Sequence, residues 1–378
     1  MRLMKELEIV DMILPGIRLR QVETPRLAAG VLERRAKAPK VLKPSKPSKK
    51  SKEQATDAAP TTVVFVHGSV ASSLFWQPVM RALPPEISAF AVDLRGFGDS
   101  EILPVDATRG VRDFSDDVAS VLDALELGAV HLVGWDLGAG VVMQLLLDRP
   151  ELVASLTLVA PVSPYGFGGT AADGSLLTTD AAGTGAGGAD PDFVARLAAG
   201  DRSDDDAGTS PFAVYRSSYV RPDFISEHEA IWLESMLTMA TGDDNYPGDS
   251  VPSENWPGFA PGGRGVLNTL APTVFDTSGI VDVDAKPPVL WVHGAQDTVV
   301  GDASLFDFNQ LGKAGIIPDW PGDDLAPPQP MVAQTRAVLA RYADAGGVVT
   351  ELELEDCGHS PHLEHPDAFH EALLTHVG

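Results

Sequence analysis

The stretch VHLVGWDLGAGVVMQLLL, from Val130 to Leu147, constrains the fold more than any other part of the chain. It opens as an apolar run through Val130, Leu132 and Val133, the pattern of a buried strand. It turns sharply through Gly134-Trp135-Asp136-Leu137-Gly138 and continues as an apolar helix through Val141, Val142, Leu145 and Leu146. Such a strand, tight turn and helix present one reactive side chain at the tip of an elbow. The residue at the tip is strained, and its neighbours two positions away must be small for strand and helix to approach. Here the tip is Asp136, flanked by Gly134 and Gly138.

The rest of the chain repeats the alternation. Thr62–Val66 reads as a buried parallel strand ending at His67-Gly68, and Ser72–Leu83 as a helix stopped by Pro84-Pro85. Ser88–Val92 is a strand running into DLRGFGDS, and Asp113–Leu127 an amphipathic helix. Val153–Val159 is another short strand. The pattern breaks after Pro161. Gly166–Asp190 is rich in Gly, Ala and Thr and reads as a long flexible segment, followed by helical pieces at Pro191–Ala199 and Glu227–Met239. Alternation resumes with strands at Pro288–His293 and Val348–Leu354, and helices at Met331–Ala345 and Pro366–His376. Near the start, Glu6–Glu33 reads as a strand pair turning at Pro15-Gly16. Repeated strand-helix units predict an α/β fold, a mostly parallel sheet with helices on both faces. Ligands bind such sheets at the carboxyl ends of the strands.

Charge and composition exclude several partners. The net charge of −25 argues against nucleic acid and anionic membranes. No apolar run reaches the ~18–20 residues of a membrane span, and the N-terminus lacks the layout of a signal peptide. The single cysteine, Cys357, cannot form an intrachain disulfide, and the expected location is cytoplasmic. Of the 28 Lys and Arg residues, nine lie between Arg34 and Lys52, in a Pro-, Ser- and Lys-rich stretch expected to be a disordered linker over residues 34–60. No HExxH or CxxC spacing occurs, so neither a metal nor a cofactor is expected. The expected partner is a small-molecule substrate; oligomeric state is open.

Four landmarks in order make the chain resemble the α/β-hydrolase superfamily: His67-Gly68 after an early strand, GWDLG at the elbow, Asp297 after a late strand, and His359 after the last one. The resemblance implies a hydrolase core built from residues 1–33, 61–160 and 285–378, with a cap inserted over 161–284. It implies Asp136, His359 and Asp297 as catalytic residues, with an oxyanion hole from the backbone N–H of Leu137 and that of Ser69 or Val70. His362 and His365 are expected to pack or cap the following turn, and His67 and His293 to be structural hydrogen-bonders. Trp76 is expected to line the pocket and Trp135 to pack under the elbow.

An aspartate at the tip changes the chemistry. It is ionised at neutral pH without a base. It attacks ester carbonyls poorly, because the product is a reactive anhydride. It attacks saturated carbon bearing a leaving group well, because the product is an alkyl ester, which a water activated by His359 then hydrolyses. This division of labour resembles epoxide hydrolases and haloalkane dehalogenases. Epoxide hydrolases use two cap tyrosines on the epoxide oxygen, and Tyr215, Tyr219 and Tyr246 are the candidates. Dehalogenases often place a Trp after the nucleophile; here that position is Leu137, and an epoxide is favoured. Two features depart from the epoxide pattern. The chain has HGSV, not HG-x-P, and HGSVASSLFWQ, PVSPYGFGGT and the DDNYPGD…SENWPG stretch resemble bacterial hydrolases whose elbow carries serine. An ester or lactone hydrolase lineage with a changed elbow, and a ligand-binding pseudo-hydrolase, are the alternatives.

Overall fold

The structure, a computed structural model, describes residues 12–36, 61–204 and 208–378. The strands are β1 (Arg18–Glu23), β2 (Ala28–Arg34), β3 (Thr62–Val66), β4 (Ser88–Val92), β5 (Val130–Trp135), β6 (Val153–Val159), β7 (Ser250–Pro252), β8 (Phe259–Pro261), β9 (Val289–Gly294) and β10 (Val349–Leu354). The helices are α1 (Gln77–Ala82), α2 (Arg112–Ala124), α3 (Leu137–Asp148), α4 (Pro191–Ala199), α5 (Pro211–Val214), α6 (Glu229–Leu237), α7 (Phe308–Lys313), α8 (Met331–Asp344), α9 (Pro361–Glu364) and α10 (Pro366–Val377). Eight strands form one sheet in the order β1-β2-β4-β3-β5-β6-β9-β10. From β4 to β10 the strands are parallel, and β1 and β2 add an antiparallel edge.

This order fixes where a site can form. The chain goes from β3 outward to β4, then crosses back to β5 on the other side of β3. The strand order therefore reverses at β3 and β5, and a crevice opens at their carboxyl ends. His67-Gly68 leaves β3 there, and Asp136 leaves β5. The central strands are apolar on both faces because helices cover both; β3 from Val63 to Val66, and Leu132 to Trp135 of β5, are buried. Helix α3 is buried from Leu137 to Leu146. Its lack of a polar face is what a helix enclosed on all sides requires.

The DLRGFGDS segment after β4 is structural. The Asp93 carboxylate accepts hydrogen bonds from Ser73 N (2.7 Å) and Asp99 N (3.0 Å). Burial still raises its pKa to about 7. Arg95 donates to both oxygens of Asp117 on α2, at 2.6 and 2.8 Å.

Two expectations are corrected. The hairpin between β1 and β2 turns at Thr24–Leu27, not at Pro15-Gly16. Thr24 Oγ1 accepts from the N–H groups of Arg26 (3.1 Å) and Leu27 (3.0 Å), a hydroxyl turn that Thr-Pro supplies as well as Pro-Gly does. Residues 6–11 of that pair, and residues 37–60 of the linker expected over 34–60, lie outside the described residues; Arg34, the first residue of that expected linker, instead closes β2. Gly166–Asp190 is not a loose loop. Its free backbone groups are tied by buried side chains: Gln329 Nε2 donates to Gly166 O (3.1 Å), Gln334 Nε2 to Ala171 O (2.7 Å), and Ala186 N to Asn268 Oδ1 (2.9 Å). The partners come from more than 80 residues away, so composition alone carried no sign of them. Between β6 and β9 the chain lays down α4, α5, α6 and the small β7–β8 pair. Residues of this stretch wall the same cavity as Asp136 and His359.

Candidate active site

The elbow forms as the glycine pattern requires. Asp136 has φ +53°, a left-handed conformation that costs a non-glycine residue on the order of 1–2 kcal/mol. A Cβ on Gly134 would sit 2.3 Å from Gly138 O, and one on Gly138 would sit 2.4 Å from Val66 O. Neither position admits a side chain. Gly68 is equally constrained, because its Cβ would lie 2.8 Å from that of Asp136. The Asp136 side chain is pressed against the β3 turn, and Ser69 N–H donates to Asp136 Oδ2 at 2.8 Å. The other oxygen, Oδ1, accepts no hydrogen bond among the described residues. Of the expected backbone donors, Ser69 reaches the carboxylate; Leu137 and Val70 make no hydrogen bond to it. Val70 has φ +47°, an outlier for a β-branched residue, worth about 1–3 kcal/mol of strain.

His359 and Asp297 meet across the ends of β9 and β10. His359 Nδ1–H donates to Asp297 Oδ2 at 2.9 Å, and both side chains are almost fully buried. Asp297 Oδ1 accepts from Val299 N (2.8 Å) and Val300 N (3.0 Å), which fixes the carboxylate. Nδ1 is thereby the protonated nitrogen, and His359 lines the cavity with Nε2 left for other work. Burial opposes the charged imidazolium. The Asp297, Asp136 and Glu364 carboxylates outweigh it, so the His359 pKa lies above its ordinary value. No ion pair joins His359 to Asp136 among the described residues.

Two supports were not legible in the sequence. Trp135 packs beside the elbow as expected, but its Nε1–H also donates to the His359 carbonyl at 2.8 Å, 224 positions away. Glu364 accepts from the N–H groups of Gly358 (3.0 Å), Ser360 (3.3 Å) and Arg221 (3.0 Å), so it shapes the loop that carries His359. Neither residue belongs to a motif whose spacing signals the role.

The other histidines are structural. His67 Nε2 accepts from Leu94 N (3.0 Å), so Nδ1 carries the proton and donates to Gly68 O (2.8 Å). Burial lowers the His67 pKa to about 4. His365 bonds Asp356 O at 2.6 Å. His293 stacks on Trp291 and contacts Glu351 at 3.0 Å. With Glu353, these two carry the donor set that can hold a cation among the described residues, but Arg336 already bonds both carboxylates.

His362 lies in an aromatic box, 4.4 Å from the Trp76 ring and 4.9 Å from that of Trp135, with both ring nitrogens unpaired. Burial lowers its pKa to about 3, with a smaller contribution from His359. A folded-state pKa below the unfolded value of about 6.5 contributes stability above pH 6.5 that is lost as pH falls toward 3. Replacement by leucine forfeits no hydrogen bond. Relative to the parent, His362→Leu should therefore gain about 2 kcal/mol between pH 7 and pH 5, by denaturant unfolding at each pH. A stability difference that does not change with pH would contradict this.

The cavity has a volume of about 650 Å³. Its floor holds Asp136, Ser69, Val70 and His359, and its walls include Phe167, Phe193, Leu270, Phe306 and Phe308. Tyr219 and Tyr246 both line it. Burial, with the Asp136 charge adding to it, raises both phenol pKa values, so both hydroxyls stay protonated. Tyr219 O–H donates to Ser69 O at 2.6 Å. Two expectations fail. Tyr215 does not line the cavity; it is fully buried at the inner side of the wide turn Tyr215–Tyr219, stacked on Phe212. Trp76 is fully buried in the core against Phe65 and His362, because the turn Ser73–Trp76 runs inward with all four residues covered.

The comparisons agree with this geometry at the level of the fold. A family model described as alpha/beta hydrolase fold matches residues 61–366. The inferred carbamate hydrolase RutD of Variovorax paradoxus is 39% identical over 123 residues, 32% of this chain and 46% of that protein. The dihydrolipoyllysine-residue acetyltransferase component of the acetoin cleaving system of Cupriavidus necator is 36% identical over 107 residues, 28% of this chain and 27% of that protein. The chain thus spans less than half the length of these curated relatives. The crystal structure of carboxylesterase CesB from Bacillus subtilis superposes with a TM-score of 0.55 at 15% identity, covering 99% of this chain and 96% of that one. The esterase EaEST from Exiguobacterium antarcticum gives 0.54 at 14% identity, covering 94% and 98%.

Proposed function

The chain belongs to the alpha/beta hydrolase fold family, and from that premise we propose that it hydrolyses a neutral, mostly apolar epoxide through an alkyl ester on Asp136. The observation that carries this reading is the state of the Asp136 carboxylate. One oxygen is held by Ser69 N–H, and the other accepts no hydrogen bond among the described residues and lies at the floor of an apolar cavity shared with two tyrosines and His359. A carboxylate held by one oxygen is oriented to attack with the other.

Asp136 Oδ1 attacks an epoxide carbon, the C–O bond breaks, and the departing oxygen takes a proton from a pocket phenol. His359, oriented by Asp297, removes a proton from a water that attacks Cγ of the ester. Ser69 N–H stabilises the oxyanion that forms there. Collapse expels the diol oxygen, which takes the proton from His359. The regenerated carboxyl gives up its remaining proton to the phenolate. The net reaction consumes one water.

Oxygen labelling tests this. A single turnover in ¹⁸O-water should place the label on the Asp136 peptide and none in the diol, because water attacks the enzyme ester. Label in the first-turnover diol would mean direct water attack and would end the proposal.

The cavity lining also sets the charge of the substrate. Asp136, Asp190 and Asp307 contribute to it, and among the described residues no Lys or Arg does. A like charge in a partly screened cleft costs on the order of 1–2 kcal/mol. A carboxylate-bearing analogue should therefore show a KM roughly five- to thirtyfold above that of its neutral counterpart. Equal KM values would contradict the assignment of these lining residues.

A second reading, an ester hydrolase lineage whose serine became Asp136, is supported by the esterase neighbours and by one contact. Tyr219 directs its proton at Ser69 O, not at the space above Asp136.

A further inference from the structure

We propose that the two pocket tyrosines are not equivalent: Tyr219 is a positioning residue that holds the Ser69 turn against Asp136, and Tyr246 alone supplies a proton to the leaving oxygen. This rests on the reading that Asp136 forms the alkyl ester, and it assigns separate steps of that reaction to the two side chains.

The Ser69 residue is held at both of its peptide groups. Its N–H donates to Asp136 Oδ2 at 2.8 Å, and its carbonyl accepts the Tyr219 hydroxyl at 2.6 Å. The second contact fixes the peptide joining Ser69 to Val70. That peptide leads into Val70 at φ +47°, a conformation a β-branched residue leaves unless something keeps it there. The Tyr219 hydroxyl is the side-chain group bonded to that carbonyl among the described residues. The ring is itself fixed, with edge-on contacts to Trp135 (5.6 Å) and His359 (5.9 Å) and a tilted contact to Phe75 (6.2 Å). A phenol has one proton, and that of Tyr219 is committed to Ser69 O. The Tyr246 hydroxyl makes no side-chain hydrogen bond among the described residues, and the residue lines the same cavity. The hydroxyl able to follow a substrate oxygen is therefore that of Tyr246.

The two roles act on different steps. A proton donor acts when the C–O bond of the epoxide breaks. Ser69 N–H also orients Asp136 in the first step, but the demand on that N–H is largest when negative charge forms on Oδ2 of the ester, in the second step, so a residue that places it acts mainly there. Stopped-flow and intact-mass kinetics with a neutral aryl epoxide separate the two. Tyr246→Phe should slow adduct formation roughly a hundredfold. Tyr219→Phe should leave adduct formation within a fewfold of the parent and slow adduct decay roughly ten- to a hundredfold, so that the adduct accumulates. Equal slowing of adduct formation by both variants would overturn the assignment, as would a Tyr219→Phe variant with both steps unchanged.

Two further measurements keep the test independent of folding and of the ester reading. If Tyr219→Phe does not fold, 3-fluorotyrosine placed at each position changes acidity with little change of shape. It should alter adduct formation from position 246 and leave it unaltered from 219; a response from 219 would assign that residue as a donor. The crystal structure of unliganded Tyr219→Phe needs no substrate. It should show the Ser69–Val70 peptide rotated and Val70 out of the left-handed region. An unmoved peptide would refute the positioning role even where no adduct forms with any substrate, and the absence of adducts alone would count against the ester reading, not against this one.

Discussion

His359→Gln should stop the reaction after one turnover, with the substrate left covalently attached. The carboxylate attack needs no base, so the first step survives. The second step needs a water deprotonated at the ester carbon, and glutamine cannot take that proton. Removing a positioned general base costs roughly 10²- to 10⁴-fold. The steady-state rate should fall by that factor, while a burst of one equivalent of opened epoxide remains. Digestion and mass spectrometry should find the added mass on the peptide carrying Asp136. The same base explains the expected pH profile of the parent. Burial opposes protonation of His359, but Asp297 and Asp136 raise its pKa above the ordinary value. In the adduct Asp136 is an uncharged ester, so its share of that rise is gone while that of Asp297 stays; the decay of the adduct should accelerate as pH rises through the His359 pKa of that state, which lies below that of the free enzyme. Adduct decay that is flat with pH, or a His359→Gln variant with neither adduct nor loss of rate, would remove His359 from the mechanism.

Asp136→Ser should abolish epoxide opening and create ester hydrolysis. A neutral hydroxyl does not open an epoxide without a base at hand, whereas it attacks an ester carbonyl once a histidine removes its proton. The parts a serine would use are those proposed for Asp136: His359 held by Asp297, and the Ser69 N–H. The elbow geometry persists, because Gly134 and Gly138 set it. The Ser69 N–H, released from Asp136 Oδ2, becomes a donor for a substrate oxyanion. Loss of the Asp136 charge also removes one of the influences that raise the His359 pKa, so the acid limb of the new activity should lie below that of the parent. Hydrolysis of a neutral aryl acetate above the parent's rate is the expected gain. Retained epoxide turnover in this variant would show that Asp136 is not the nucleophile. Failure to gain esterase activity, with epoxide opening lost, would argue against the ester-hydrolase lineage.

Much of this is legible in the sequence. Strand and helix positions followed from apolar periodicity: β4, β6 and α4 lie where it placed them, and α8, β9 and β10 within a residue or two. The parts that failed were those decided by distant partners. Trp76 follows the Ser69 turn in sequence, yet a single inward turn sends it into the core beneath His362. Three tyrosines were equal candidates by position. Tyr215 and Tyr219 are four positions apart, and the wide turn that holds both puts one in the wall's interior and the other in the cavity.

The elbow is encoded locally. Local sterics demand glycine on both sides of a strained tip and apolar residues in the flanking strand and helix, and these are properties of a short contiguous stretch. Alternating elements likewise determined a parallel sheet and the end at which a site could open. Long-range packing did the rest. It turned one oxygen of Asp136 onto Ser69, paired His359 with Asp297, fastened the His359 loop through Trp135 and Glu364, and gave the Tyr219 proton to Ser69. Each of these contacts joins residues far apart along the chain or depends on the direction of one hydrogen bond. No local pattern encodes such a contact, because its energy exists only once the sheet has brought the strand ends together.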